Sequence, residues 1–348
     1  MTMPSFKKQK ERTAKLKSPK TYLLFDSANT FFRARHVVRG DDIYTKTGLA
    51  LHICMNSVKK CWERFNADHV VFCFEGRSWR KDFYPKYKQN RKETRDAMTP
   101  AEQEADKVFW ETFDEFKIFV ENKSNCTTLR HGELEADDLI AGWIQAHPDD
   151  KHVIVSSDSD FYQLLSENVS QYNGITDTLI TINGFYDDKN SEIIDKKTKL
   201  PKPAPDPEWL LFEKCMRGDA SDNVFSAFPK VRTTKLKEAY EDRKSQGFIW
   251  NNMMLSRWVD HNGKEKIVRD EYAINQQLID LTQQPDNIKQ IIAETISSAT
   301  NSPKEVANVG IHLLKFCNKH ELVRIRDNVK FYAEPFNARL HQDQAVTA

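Results

Sequence analysis

Three short apolar segments, each followed at once by polar residues that include an acid, constrain the fold of this chain most. They are Tyr22–Phe25 before Asp26, His69–Phe74 before Glu75, and Val153–Val155 before Ser156, Ser157 and Asp158. Continuous apolar runs of this length are typical of strands buried on both faces of a sheet. Between them, apolar residues spaced by three and four over 48–65 and 109–120 indicate amphipathic helices. The sequence therefore predicts an α/β fold, an open and mostly parallel sheet flanked by helices.

Composition excludes several classes of protein. No apolar run in the 348 residues approaches the roughly twenty that a membrane helix needs. The six cysteines form no C-x-x-C pair and predict reduced thiols, and no glycine-rich phosphate loop occurs. The basic residues concentrate in 1–20 and 77–95, although the net charge is only +1. This uneven distribution suggests a polyanionic ligand held beside divalent metal.

Acidic residues recur where ligands bind in such a fold, beyond the carboxyl ends of the strands. Two further clusters are Glu135-Ala136-Asp137-Asp138, before an apolar helical stripe, and Gly218-Asp219-Ala220-Ser221-Asp222-Asn223. Each acid alone has an ordinary interpretation as a cap, a turn residue or a solvated charge. Together the acids would repel one another, so divalent cations are expected among them. A donor set of oxygens without His or Cys favours two Mg²⁺ ions, with Mn²⁺ as a substitute.

The basic stretch 77–95 interleaves cations with aromatic residues. Such a segment suits phosphate neutralisation together with base stacking on a single strand. The ordinary alternative is a solvated charged helix face. Because the stretch directly follows an acid-tipped strand, we favour a contact with nucleic acid.

Five ordered motifs carry a family resemblance. They are FDSANTFFRAR (25–35), VVFCFEG followed by WRKDFYPKYKQNRK (70–92), ELEADDLIA (133–141), VIVSSDSDFYQLL (153–165) and MRGDASDNV (216–224). This pattern resembles the 5′-nuclease superfamily, which includes flap endonucleases, the 5′-nuclease domain of bacterial DNA polymerase I and phage 5′-exonucleases of the ribonuclease H type. The resemblance implies a PIN-like core and a Mg²⁺-dependent 5′→3′ exonuclease and flap endonuclease. Such an enzyme removes RNA primers and 5′ flaps during lagging-strand DNA replication.

The resemblance also implies roles for individual residues. The first metal ion would be held by Asp26, Glu75, Asp137 and Asp158, with Glu135 and Asp138 close by. The second would lie near Asp160, Asp219 and Asp222. Lys88 and Arg91 would contact the scissile phosphate as catalytic residues. The remaining expected nucleic-acid contacts are Arg33, Arg80, Lys81, Lys86 and Lys92.

The predicted organisation has four parts: a basic disordered tail (1–20), a nuclease core (21–186) with an arch at about 77–98, a linker with a helical DNA-binding domain (187–338), and a tail (339–348). Expected ligands are branched or nicked duplex DNA and RNA–DNA hybrids. Replication nucleases often work with a sliding clamp and a single-strand-binding protein, although Gln342-Asp343-Gln344 lacks the aromatics of a clamp-binding peptide. A monomer in the host cytoplasm, away from membranes, is expected.

Two departures from the family pattern leave alternatives open. Glu75 stands where the family has Asp, which lengthens the side chain by one methylene. The glycine-rich turn expected after Asn223 is absent, so we predict a variant duplex-binding turn without a potassium site. One alternative is a catalytically weakened, structure-specific nucleic-acid-binding protein of the same fold. Another, a toxin-like ribonuclease of the compact PIN fold, is disfavoured because those chains are shorter and lack the basic arch.

Overall fold

The computed structural model describes residues 18–37 and 42–340, so the predictions for residues 1–17 and 341–348 lie outside the described part. Its strands are β1 (Thr21–Asp26), β2 (His69–Cys73), β3 (Thr127–Leu129), β4 (Lys151–Val155), β5 (Val169–Asn173), β6 (Thr178–Thr181), β7 (Gly184–Tyr186), β8 (Arg257–Val259) and β9 (Glu265–Ile267). The first seven form one sheet in the order β3-β2-β1-β4-β5-β6-β7. The strands from β3 to β5 in this order are parallel, and β6 and β7 are antiparallel additions.

Helices cover both faces of the sheet. They are α1 (Ser27–Val37), α2 (Ile43–Phe65), α3 (Arg80–Phe83), α4 (Gln89–Asp96), α5 (Pro100–Lys123), α6 (Ala136–Ala146), α7 (Pro207–Arg217), α8 (Thr233–Asp242), α9 (Phe248–Leu255), α10 (Val268–Ile279), α11 (Asp286–Asn301), α12 (Val309–Lys319), α13 (Val323–Arg326) and α14 (Val329–Asn337). None of these described helices is long and apolar enough to cross a membrane.

The apolar side chains of the central strands enter one of two cores because successive residues point to opposite faces. Leu23 and Phe25 of β1 join a core with α2, α5 and the C-terminal helices α12–α14. Tyr22 and Leu24 join a second core with α6 and α11. The central strands are thus buried on both faces, which is the reason for their continuous apolar sequence.

The helices after residue 207 divide between two environments. Helices α7 to α10 share a separate small core that includes Phe212, Leu236 and Met253. By contrast, α11 and α12–α14 pack on the sheet itself. The domain boundary at residue 187 stays a prediction, and these contacts show that the chain returns to the sheet beyond it.

The observed architecture confirms the predicted fold class of a mostly parallel sheet flanked by helices, with a helical C-terminal region. The three apolar segments form β1, β2 and β4, and α5 begins with the capping box of Thr99 and Glu102 and with Pro100 at its first position. The short β3 and the hairpin β6–β7 were not anticipated, because their sequences alternate too briefly to give a period.

The sheet order places a crevice between β1 and β4. The chain runs from β1 outward through β2 to β3, and then crosses to β4 on the other side of β1. The loops that leave the carboxyl ends of β1 and β4 therefore diverge toward opposite faces. This is the topological switch point at which open α/β sheets bind their ligands.

We expect Gly142 to be required for the close packing of α6 against α11. A Cβ atom at Gly142 would lie 2.2 Å from Cγ2 of Ile292 and 2.8 Å from Cδ1 of Ile296. Gly142→Leu should therefore lower the free energy of unfolding by about 1–3 kcal/mol through overpacking. Urea denaturation would measure this loss. Gly132→Ala is the control, since nothing lies within 4 Å of its Cβ position; equal stability of both variants would contradict the packing.

Candidate active site

The acids after β1 and β4 meet at the switch point. Asp26 is the last residue of β1 and is only 3% exposed. The hydroxyl of Ser156 donates a hydrogen bond of 2.8 Å to Oδ2 of Asp26, which ties the two strand ends together. Asp158 then caps a short 3₁₀ helix, Ser159–Leu164, by accepting a 3.0 Å hydrogen bond from the backbone N–H of Asp160. Three predicted ligands thus arise from two neighbouring strands.

The acids after β2 and at the start of α6 form the other side of the site. Oε2 of Glu75 accepts a 3.3 Å hydrogen bond from the backbone N–H of Ala136, the first residue of α6. Glu135 precedes that helix and Asp137 follows in its first turn. A helix N-terminus favours negative charge because its free N–H groups and dipole point outward.

The electrostatics show how crowded these carboxylates are. Burial, reinforced by the charge of Asp158, raises the pKa of Asp26 to about 6. The side chain of Glu75 is exposed at the cleft. The surrounding protein nevertheless reduces its hydration, and this desolvation together with the charge of Glu135 raises the pKa of Glu75 to about 7. Burial and the charges of Asp26 and Glu75 raise the pKa of Asp137 well above its ordinary value. These acids therefore resist carrying their full negative charge together.

A second group of acids lies on the side of the helical lobe formed by α7 to α10. The ammonium group of Lys214 on α7 contacts Asp160 and lies 2.8 Å from Oδ2 of Asp219. Burial raises the pKa of Asp160 to about 6, although Lys214 opposes the shift. For Asp219, burial is outweighed by Lys214 and the pKa is lowered. This lysine was not identified from the sequence, because nothing in the pattern of α7 separates it from solvated lysines.

Lys88 stands between the two groups of acids. Its ammonium contacts Oε1 of Glu135 and lies 3.6 Å from Oδ2 of Asp222. Burial would lower the pKa of Lys88, but these two carboxylates outweigh burial and raise it. Burial likewise opposes ionisation of Glu135, yet the charges of Lys88 and Arg80 lower the pKa of Glu135 to about 2.

The structure therefore brings eight of the nine predicted metal ligands to one cleft, with lysines among them. The eight are Asp26, Glu75, Glu135, Asp137, Asp158, Asp160, Asp219 and Asp222. Within the described residues, no three Asp, Glu, His or Cys side chains stand close enough together to hold a metal ion directly. Ammonium groups of Lys88 and Lys214 lie between the carboxylates instead.

Asp138 and Arg80 form an ion pair in the interior, beside the cleft. The guanidinium of Arg80 is 1% exposed and donates to Glu135 and, through two nitrogens, to both oxygens of Asp138. Its Nε donates to the carbonyl of Leu278 at 2.8 Å. Asp138 is completely buried and also accepts hydrogen bonds from the indole N–H of Trp79 and the amide of Gln284. Both groups are thus engaged in a buried ion pair, and their expected roles in binding metal and phosphate stay predictions.

The other predicted nucleic-acid contacts lie on the surface. Arg91 is exposed on α4 and pairs with Oδ1 of Asp222 at 2.6 Å. Lys86 lies over the ring of Phe225 at 5.1 Å. The side chains of Arg33, Lys81 and Lys92 are exposed to solvent. Their roles stay predictions.

Two further side chains of the cleft were missed by sequence reasoning. The hydroxyl of Tyr87 lies 3.1 Å from Oε2 of Glu135 and 2.9 Å from Oδ2 of Asp222, and can donate to only one at a time. Gln163 donates to the carbonyls of Asp160 and Ile279, which links the 3₁₀ helix to the end of α10. Only the position of Tyr87 beside Lys88 gave a signal in the sequence.

Comparison with known proteins places this site in a family. The family model for the N-terminal, resolvase-like domain of 5′-3′ exonucleases matches residues 21–197, which is more than half of the chain. The chain belongs to the 5′-3′ exonuclease family. The matched region contains four of the five motifs and the sheet from β1 to β7.

Relatives of this 5′-3′ exonuclease family member include enzymes of bacteria and phages. A flap endonuclease Xni from Psychromonas ingrahamii is 32% identical over 161 residues, which cover 44% of this chain and 56% of that protein. A ribonuclease H from Enterobacteria phage T4 is 26% identical over 277 residues, or 73% of this chain and 78% of that protein. The chain spans less than two thirds of the length of several relatives, and only 20% of a DNA polymerase I from Rhizobium leguminosarum.

A solved structure shares the fold. It is a flap endonuclease of bacteriophage T5 in a pseudo-enzyme–product complex with DNA and metal ions. The TM-score is 0.56 at 19% sequence identity, and the alignment covers 81% of this chain and 100% of that one. At this identity the likeness supports the architecture and carries no residue-level role.

We expect the buried Arg80 to be essential for stability. Arg80→Met would leave Asp138 buried without its ion-pair partner and Glu135 with Lys88 alone, which should cost roughly 3–5 kcal/mol in the free energy of unfolding. Urea denaturation would measure the change. Arg77→Met is the matched control: Arg77 also forms an ion pair, with Asp82, but both side chains are exposed, so its stability should hardly change. A small effect of Arg80→Met would contradict the ion pair.

Proposed function

We propose that this chain is a divalent-metal-dependent phosphodiesterase, a 5′→3′ exonuclease with flap-endonuclease activity. One observation carries the proposal: carboxylates from five separate chain segments meet at the switch point of the sheet, beside the ammonium group of Lys88. A phosphodiester is an anion, and an acidic cleft repels it unless cations intervene. The arrangement is thus suited to nucleic-acid chemistry only in combination with bound cations.

The donor set of this cleft fits hard divalent cations. All candidate ligands are carboxylate oxygens, without histidine or thiolate, which favours Mg²⁺ or Mn²⁺ over zinc. The raised pKa values of Asp26 and Glu75 and the lysines among the acids indicate that the cleft requires positive charge. Since no three of these carboxylates stand together among the residues that the structure describes, the lysines and acids would need to rearrange when metal binds.

Two metal positions follow from the grouping of the acids. Asp26, Glu75, Asp137 and Asp158 would hold one ion, and Asp160 with Asp219 and Asp222 would hold the other. When bound, such a pair of divalent ions supplies an activated water and neutralises charge on the scissile phosphate. Hydrolysis would leave a 5′-phosphate and a 3′-hydroxyl.

The residues of the chain itself orient the phosphate. In the structure, Lys88 forms an ion pair with the buried Glu135, and Arg91 forms one with Asp222. An incoming phosphate offers both side chains a replacement anion, so they can transfer from carboxylate to phosphate without losing a charge partner. Lys88 would then offset the negative charge that develops in the transition state.

The surface around the cleft supports a branched or nicked nucleic-acid substrate. The exposed α4 carries Arg91, Lys92 and Arg95 above the site, which would suit a single strand. Exposed Lys235 and Lys237 on α8 would suit the phosphates of an adjoining duplex. The segment 224–232 contains no glycine and leads into α8. It would form the variant duplex-binding turn predicted from the sequence.

The biological role proposed is removal of RNA primers and 5′ flaps during lagging-strand replication, by a monomer acting in the cytoplasm. It is supported by family membership and by relatives named as flap endonuclease and ribonuclease H. A sliding clamp and a single-strand-binding protein are the partners to test. The rival proposal, a binding protein that has lost the chemistry, predicts tight binding of flap DNA without turnover in Mg²⁺ or Mn²⁺.

We expect Asp158→Asn to abolish cleavage while sparing DNA binding. The change removes one negative charge and keeps an oxygen that can cap the 3₁₀ helix, so the fold should persist. Cleavage of a 5′-labelled flap duplex in Mg²⁺ and binding of the same DNA in EDTA would be compared. Wild-type cleavage should be lost in EDTA and restored by Mg²⁺ or Mn²⁺.

Glu133→Gln is the matched control for Asp158→Asn, because Glu133 is an exposed acid close to Glu135 in sequence. It should cleave at the wild-type rate. Full cleavage by Asp158→Asn would remove Asp158 from the proposed metal site, and EDTA-resistant cleavage by the wild type would reject metal dependence.

Lys88→Ala should lower kcat about a hundredfold, by loss of a cation that stabilises developing charge. KM for flap DNA should change much less, because many phosphates contribute to binding. Steady-state kinetics would separate the two constants. Lys151→Ala is the control, since this exposed lysine is the first residue of β4 and lies at the end of the strand away from the cleft. An unchanged kcat for Lys88→Ala would exclude the residue from the reaction.

A further inference from the structure

Two distant segments of the chain grip one another beside the cleft. The first is 86–91, which contains the start of α4. The second is the loop 219–223, which follows α7. The backbone N–H of Lys88 donates a 2.8 Å hydrogen bond to the carbonyl of Asp222. The amide of Asn223 donates to the carbonyl of Lys86 at 2.8 Å. We call these contacts, together with those of Asn90 below, the clasp.

Asn90 contributes the other part of the clasp. Its side-chain Nδ2 lies 3.2 Å from the carbonyl oxygens of both Ala220 and Ser221. Its Oδ1 accepts a 2.9 Å hydrogen bond from the backbone N–H of Arg91. Because both partners of Nδ2 are acceptors, the amide must present its NH₂ group to the loop.

The clasp holds a backbone conformation that Lys88 would not otherwise favour. Lys88 has φ of 55° and ψ of 22°, in the left-handed region that side-chain-bearing residues rarely adopt. Such a conformation persists when its surroundings fix it from several directions. Here the surroundings are the hydrogen bond to Asp222 and the flanking contacts of Asn90 and Asn223. This bend directs the Lys88 ammonium toward Glu135.

We propose that Asn90 is a positioning residue, which acts through Lys88 by clasping the start of α4 to the loop 219–223. This inference rests on the proposed function, because it concerns how Lys88 is placed for phosphate. The same contacts join the start of α4 to the loop beside the helical lobe. The clasp therefore also fixes the position of α4, with its basic residues, relative to that lobe. A phosphate contact misplaced by about 1 Å can cost a hundredfold in rate.

An isosteric substitution isolates the donor. Asn90→Asp keeps the oxygen that accepts from Arg91 and replaces the NH₂ group with a second acceptor facing two carbonyl oxygens. The clasp should therefore open. Gln89→Glu is the matched control, because Gln89 is exposed on the same helix and the change adds the same charge without touching the loop. Asn90→Ala removes the donor with no added charge and guards against a purely electrostatic effect on DNA.

The first measurement is single-turnover cleavage of a saturating 5′-flap duplex in Mg²⁺. Asn90→Asp and Asn90→Ala should be slowed about tenfold, whereas Gln89→Glu should match the wild type. In a Lys88→Ala background, Asn90→Asp should slow the reaction no further, because the residue through which it acts is gone. An equal slowing in both backgrounds, or equal rates for Asn90→Asp and Gln89→Glu, would overturn the proposal.

The second measurement does not depend on activity. Hydrogen exchange of a peptide covering 86–92 should quicken in Asn90→Asp and Asn90→Ala, since the Lys88 amide loses its fixed acceptor, and stay unchanged in Gln89→Glu. Unchanged exchange in the Asn90 variants would overturn the clasp even if cleavage slowed. If the wild type failed to cleave while exchange changed as expected, the proposed function would fail and the clasp alone would stand.

Discussion

Repulsion among carboxylates at the switch point of the sheet is the constraint on which the rest of the site depends. Parallel strands bring Asp26 and Asp158 together at one edge, and the start of α6 adds Glu135 and Asp137. Separate chain segments thus converge on one small volume with charges of one sign. Such a site is stable only if cations enter it or some acids stay protonated, and the raised pKa values with the inserted lysines show both responses.

Two kinds of countercharge answer this repulsion, and burial distinguishes them. Arg80 is sealed in the interior with a forked contact to Asp138 and a bond to the carbonyl of Leu278. It joins α3, α6 and α10, and its removal from that place would leave buried charges unpaired. Lys88 and Lys214 carry their charge at the cleft on flexible stems. They hold the acids in the absence of other cations, and in the proposed function Lys88 exchanges a carboxylate partner for phosphate.

The strands and most of the acids could be predicted because their signals are local. An apolar run buried on both faces identifies β1, β2 and β4, and the carboxyl ends of parallel strands share one edge. Arg80 and Lys88 stand in the same basic stretch, so no local pattern shows that one is buried and the other lines the cleft. That difference depends on the carbonyl of Leu278 and on Asp138, which lie far away in sequence. Lys214 was missed for the same reason.

The clasp shows how contacts that are distant in sequence place Lys88 in the cleft. Lys88 can serve the cleft only if the chain turns sharply before α4, and a lysine does not adopt the left-handed conformation for local reasons. The energy for that turn must come from contacts made elsewhere, here with the loop 219–223. That loop also carries Asp219, whose carboxylate is held by Lys214 independently of the clasp, so opening the clasp would displace Lys88 and leave this candidate metal ligand in place.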